Sequence, residues 1–72
     1  MPILIFKNVH KVMKADTLCR QRGISCRVLP VPEHISSECG MCLEVEAENT
    51  EKCTVVLKEN NIQFEIYNME VL

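Results

Sequence analysis

The chain has 72 residues, 47% of them apolar and 25% charged, with a net charge of −2. That length holds one small core, and the apolar share argues for a folded globule over a disordered tail. The longest apolar run near the start, residues 2–6, is far short of the roughly 20 residues that cross a bilayer. Three aromatic residues and scattered basic ones do not make a nucleic-acid surface, which needs clustered Arg or Lys beside exposed rings.

No cleavable signal pattern opens the sequence, so a cytoplasmic setting is expected, with residues 1–72 as a single domain. Five cysteines, an odd number at spacings unlike a disulfide framework, fit reduced thiols better than a secreted staple. Charge is divided unevenly. Residues 1–36 carry six basic and two acidic side chains, a balance of +4, whereas residues 37–72 carry two and eight, a balance of −6. Such a division can orient a partner.

Ile3, Leu4, Ile5 and Phe6 predict a strand inside a sheet, because no polar residue interrupts them. Asn8 suits a helix N-cap, and Val9, Val12, Met13 and Cys19 recur at helical spacing up to Gly23, which predicts a helix over about 9–22. Residues 24–29 alternate as a second strand, with Ile24, Cys26 and Val28 on one face. Pro30 and Pro32 are expected to stop it. A polar loop follows, and alternation resumes at Met41, with Leu43, Val45 and Ala47 on its face and Cys42, Glu44 and Glu46 on the opposite, wet one. Asn49 or Thr50 can cap a second helix carrying Cys53, Val56 and Leu57, and Asn60 and Asn61 end it. Ile62, Phe64 and Ile66 alternate with Gln63, Glu65 and Tyr67 as a fourth strand.

The order β-α-β-β-α-β predicts an α+β fold: a ferredoxin-like βαββαβ two-layer sandwich, with a four-stranded antiparallel sheet and two helices on one face. Right-handed crossovers then bring the loop at residues 31–40 to the same edge as the start of the first helix. Exposed edge strands allow a monomer or a weak homodimer.

Residues 33–42, Glu-His-Ile-Ser-Ser-Glu-Cys-Gly-Met-Cys, hold the chemistry. Cys19, Cys26 and Cys53 fall on apolar faces and read as small hydrophobes. Cys39 lies outside the periodic segments beside Gly40, which lets the backbone turn and leaves the sulfur uncrowded. The amides near Val9 and His10 would favour a thiolate there, as would positive charge on Lys7, His10, Lys11 or His34, while Glu33 and Glu38 act against it. Ser36 and Ser37 are expected to bond the loop backbone. The C-x-x-C pair precedes a strand, whereas a thioredoxin-like pair starts a helix. A structural zinc site would want four ligands, and only two are close in sequence. Cys39 and Cys42 with His34 remain an alternative, a soft-metal module for zinc or copper, and a protein-interaction face bearing Cys42, Glu44 and Glu46 is a third reading.

Residues 30–40, Pro-Val-Pro-Glu-His-Ile-Ser-Ser-Glu-Cys-Gly, resemble the signature of a family of small selenium or sulfur carrier-like proteins, otherwise a domain family of unknown function. Arg22-Gly23-Ile24, Pro30, Pro32, Ile35-Ser36-Ser37, Cys39-Gly40 and Asn61-Ile62 fall at that family's landmarks. The Ser-Ser-x-Cys-Gly run is the specific part. The resemblance implies a carrier more than an independent enzyme, with Cys39 holding sulfur or selenium as a persulfide or selenopersulfide between a protein donor and acceptor. It implies no resident cofactor beyond that transient cargo. By the same resemblance Gly40 supplies the turn; from the residues themselves, Ser36, Ser37 and His10 are the expected thiolate surroundings. Two departures stand out. Glu33 replaces a frequent arginine, and Cys42 replaces a small or aliphatic residue, where it could act as a resolving thiol by closing a disulfide with Cys39.

Overall fold

The computed structural model describes residues 1–68. Strand β1 (Pro2–Ile5) leads into helix α1 (Val9–Gln21), then β2 (Cys26–Pro30) and β3 (Met41–Val45). A 3₁₀ turn (Ala47–Asn49), helix α2 (Thr50–Glu59) and β4 (Glu65–Asn68) complete the order. The strands form one antiparallel sheet in the order β2-β3-β1-β4.

Both helices are bounded by local chemistry that the sequence announces. Asn8 is extended, and its side chain accepts a hydrogen bond from the Lys11 amide at 3.0 Å, which satisfies one of the first-turn donors. At the far end Gly23 takes φ 73°, its N–H donates to the Arg20 carbonyl, and the Ile24 N–H reaches back to Cys19 at 2.9 Å. This is a Schellman ending, which needs a left-handed residue. Helix α2 ends the same way, with Asn61 at φ 58° and the Ile62 N–H on the Leu57 carbonyl at 2.9 Å. Its start differs from expectation. Asn49 belongs to the 3₁₀ turn and makes no side-chain cap bond, while the Thr50 hydroxyl donates to the Glu46 carbonyl at 3.2 Å.

Two strand boundaries move for identifiable reasons. Pro30 lies inside β2, paired with Met41, although proline was expected to end the strand. The next residue, Val31, donates to Gly40 across the pair at 3.0 Å, so alternation turns the Pro30 nitrogen toward the open edge, where no ladder bond is lost. Strand β4 begins at Glu65 and not at Ile62, because the Ile62 amide is already committed to capping α2.

Leu4, Leu43 and Val45 from the sheet share one buried cluster with Val12, Ala15 and Cys19 of α1 and Cys53, Val56 and Leu57 of α2. Residues next to these in the strands point the other way. There Ile3, Ile5 and Cys42 form a second buried cluster, covered by Leu29, Val31 and Ile35. No helix among the described residues is long and apolar enough to cross a membrane.

The pairings Pro30 with Met41, Ile5 with Cys42 and Ile5 with Glu65 fix which ends meet. The loop at residues 31–40, the link at residues 6–8 and the turn at residues 60–64 all gather at one edge of the sheet.

Candidate functional site

The loop at residues 31–40 is closed at its base by the Val31 to Gly40 bond and tightened by the Ile35 amide on the Pro32 carbonyl at 3.0 Å. Gly40 takes φ 79°, with open space where a Cβ would be, so its conformation and not crowding calls for glycine. Its amide bonds the Ser37 hydroxyl at 3.4 Å, the local role expected of that serine. Ser36, Glu33, His34 and Glu38 are exposed.

Cys39 is partly exposed, and its side chain packs against the helix-side core, beside which Met41 and Phe64 also lie. It is the one cysteine of the five that is not buried. Among the described residues its sulfur makes no hydrogen bond, and the Lys11 amide in the first turn of α1 is taken by Asn8. His10 is exposed on that same turn. The two segments therefore share an edge of the sheet without a bond between them.

Cys42 differs from expectation. Placed on the wet side with Glu44 by alternation, it is 1% exposed, because Ile3 and Ile5 of the neighbouring strand and Ile35 of the loop close over that part of the sheet. Its thiol points at the Pro30 carbonyl at 3.8 Å. Burial, then the nearby charges of Glu44 and Cys39, push the Cys42 thiol above its ordinary range. The two cysteines of the C-x-x-C pair consequently pack against different clusters, Cys39 on the helix side and Cys42 on the other. The set Cys39, Cys42 and His34 is not gathered as a metal centre: no group of three His, Cys, Asp or Glu side chains among the described residues is placed to hold an ion.

A groove of ≈ 890 Å³ opens where the three edge segments meet. Ser36, Ser37 and Glu38 form its loop wall, Phe6 and Lys7 of the link after β1 a second, and Lys58 near the end of α2 with Phe64 ahead of β4 a third. The Phe6 and Phe64 rings, 6.5 Å apart between centroids, tilt against each other there. Cys39 follows directly on the loop wall. Sequence reasoning singled out the loop but not Lys58 or Phe64, since these come from segments far along the chain and carry no local motif.

The remaining cysteines are core residues, as their apolar faces predict. Cys19 and Cys53 are fully buried, and Cys26 donates to Asp16 at 3.2 Å. Burial and that hydrogen bond push the Cys26 thiol up to about 12.

No curated protein and no solved structure matches the chain. One family does, over residues 1–68, a stretch that includes the loop, Cys39 and both helices. On that match the chain belongs to the family described as "Putative Se/S carrier protein-like".

Proposed function

We propose that the protein is a thiol carrier in which Cys39 holds sulfur or selenium as a persulfide or selenopersulfide for delivery to a partner enzyme. The observation that carries this reading is the contrast among the five thiols: four are buried, and the partly exposed one lies in the Ser-Ser-x-Cys-Gly loop, next in the chain to Glu38 of the groove wall. The family description supports the same cargo.

The transfer balances without an added oxidant. The Cys39 thiolate attacks the terminal sulfur of a donor persulfide, R–S–S–H; the donor's S–S bond breaks, R–S⁻ leaves, and the terminal atom stays on Cys39. A selenopersulfide donor passes selenium by the same displacement, and an acceptor nucleophile then takes the atom and releases Cys39. The groove offers a donor or acceptor segment an apolar floor of Phe6, Ile62 and Phe64, with both signs of charge, Lys7 and Lys58 against Glu38 and Glu65, along its walls. Cys42 as a resolving thiol requires the loop to lift Ile35 away first, and this makes it a slow second partner.

The finer architecture we read as ferredoxin-like, supported by the β2-β3-β1-β4 order and by two β-α-β units whose outer strands each skip one neighbour. Five unpaired thiols support a reducing, cytoplasmic setting. The test uses a cysteine desulfurase with cysteine as donor, followed by intact mass of wild type and Cys39→Ser. A gain of one sulfur on wild type alone is the expected result; equal gains on both would remove Cys39 from the function.

A further inference from the structure

The sulfurs of Cys19 and Cys53 lie 3.1 Å apart, one on the last turn of α1 and the other on the first turn of α2. Carbon atoms at optimal contact stand roughly 3.5–4.0 Å apart, so thiols merely filling space would be expected no closer. A disulfide bond needs about 2.05 Å, and an approach of about 1 Å reaches it. Both side chains are fully buried among Val12, Ala15, Val56 and Leu57.

From this geometry we infer that Cys19 and Cys53 are a second redox site, an internal dithiol that a low-molecular-weight disulfide oxidises to a covalent link between the two helices. In the first step one protein thiolate attacks the reagent R–S–S–R, forming a mixed disulfide and releasing R–S⁻. The second protein thiolate then displaces the other R–S⁻. Two protein thiols are oxidised, one reagent disulfide is reduced to two thiols, and the protons pass to the leaving groups.

Burial decides how the pair responds. The hydrogen bond to Cys53, then burial, hold the Cys19 thiol far above its ordinary range, while the same bond favours the Cys53 thiolate against burial. With both side chains 0% exposed, a reagent reaches neither sulfur in the closed state, so the exchange proceeds through transient opening of the helix pair. The link would span 34 positions, enclosing β2, the Cys39 loop and β3. Restricting that length of chain in the unfolded state stabilises the fold, and the melting midpoint should rise on the order of 10 °C. The site is independent of sulfur carriage, because neither sulfur belongs to the Cys39 loop.

The experiment treats the full chain and its Cys39→Ser/Cys42→Ser variant with glutathione disulfide, natively and in urea below the unfolding transition. Remaining thiols are alkylated and the protein is digested without reductant for peptide mass mapping. The expected result is a peptide pair joined through Cys19 and Cys53, a raised midpoint, and reversal of both by dithiothreitol. Recovery of Cys19 and Cys53 as alkylated thiols under both conditions, or a link from either of them to Cys26, would overturn the inference. Cys53→Ala should lose the oxidant-dependent rise in midpoint; should that variant not fold, the peptide map of the unmodified chain decides alone.

Discussion

Cys42 is packed against Ile3 and Ile5, and 3.8 Å from the Pro30 carbonyl it has a partner within reach of sulfur but too distant for a hydroxyl. Cys42→Ser therefore buries an oxygen without a good acceptor and should cost about 1–3 kcal/mol in urea unfolding. The alternation of Met41, Cys42 and Leu43 is legible in the sequence, and it assigns opposite faces correctly. What it does not show is that Ile35, seven positions earlier, folds across the second face and dries it. At the same scale the Cys26 thiol, raised to about 12, makes stability depend on alkaline pH. Between about 9, where the unfolded thiol ionises, and about 12 the folded state binds one more proton, so stability falls as pH rises through that window. The raised Cys42 thiol acts in the same direction. Urea midpoints should decline from pH 8.5 to pH 11, and Cys26→Ala should flatten part of that slope.

Helix ends were the most legible elements, because capping is chemistry between residues a few positions apart. Asn8, Gly23 and Asn61 each take the expected role. Asn8→Ala removes the acceptor for the Lys11 amide and should cost about 1 kcal/mol. Asn61→Gly keeps the left-handed turn and should be neutral or slightly stabilising, whereas Asn61→Val forces a β-branched residue to φ 58° and should cost about 1–2 kcal/mol. Thermal midpoints of the three variants check the ranking. The loop at residues 31–40 has its own such position: Gly40→Ala meets no atom, so a loss of about 1 kcal/mol would come from φ alone. The groove was not legible at this scale, since Lys7 after β1, Lys58 near the end of α2 and Phe64 before β4 line one space only when those three elements are assembled.

For the whole molecule, the division of charge along the sequence does not survive folding as two poles. The sheet order interleaves the halves, with β3 between β2 and β1, and Arg27 on β2 meets Glu44 on β3 at 2.7 Å. Arg22 and Glu59 likewise join the ends of the two helices at 3.6 Å. Both arginines are more than half exposed, although Glu44 is only 15% exposed. Pairs reached by water on one side contribute roughly 0–1 kcal/mol each, and Arg27→Ala should shift the urea midpoint little, with the shift shrinking further in high salt.

The unequal burial of the sulfurs has a consequence for anyone counting them. A chromogenic disulfide reagent added to the native protein should titrate one rapid equivalent, with the rest appearing only on the timescale of unfolding, although the chain contains five cysteines. Chemically the protein would then pass for a single-thiol molecule until denaturant is added, and a second equivalent in the initial burst would mean that the cover over Cys42 opens far more readily than its packing implies.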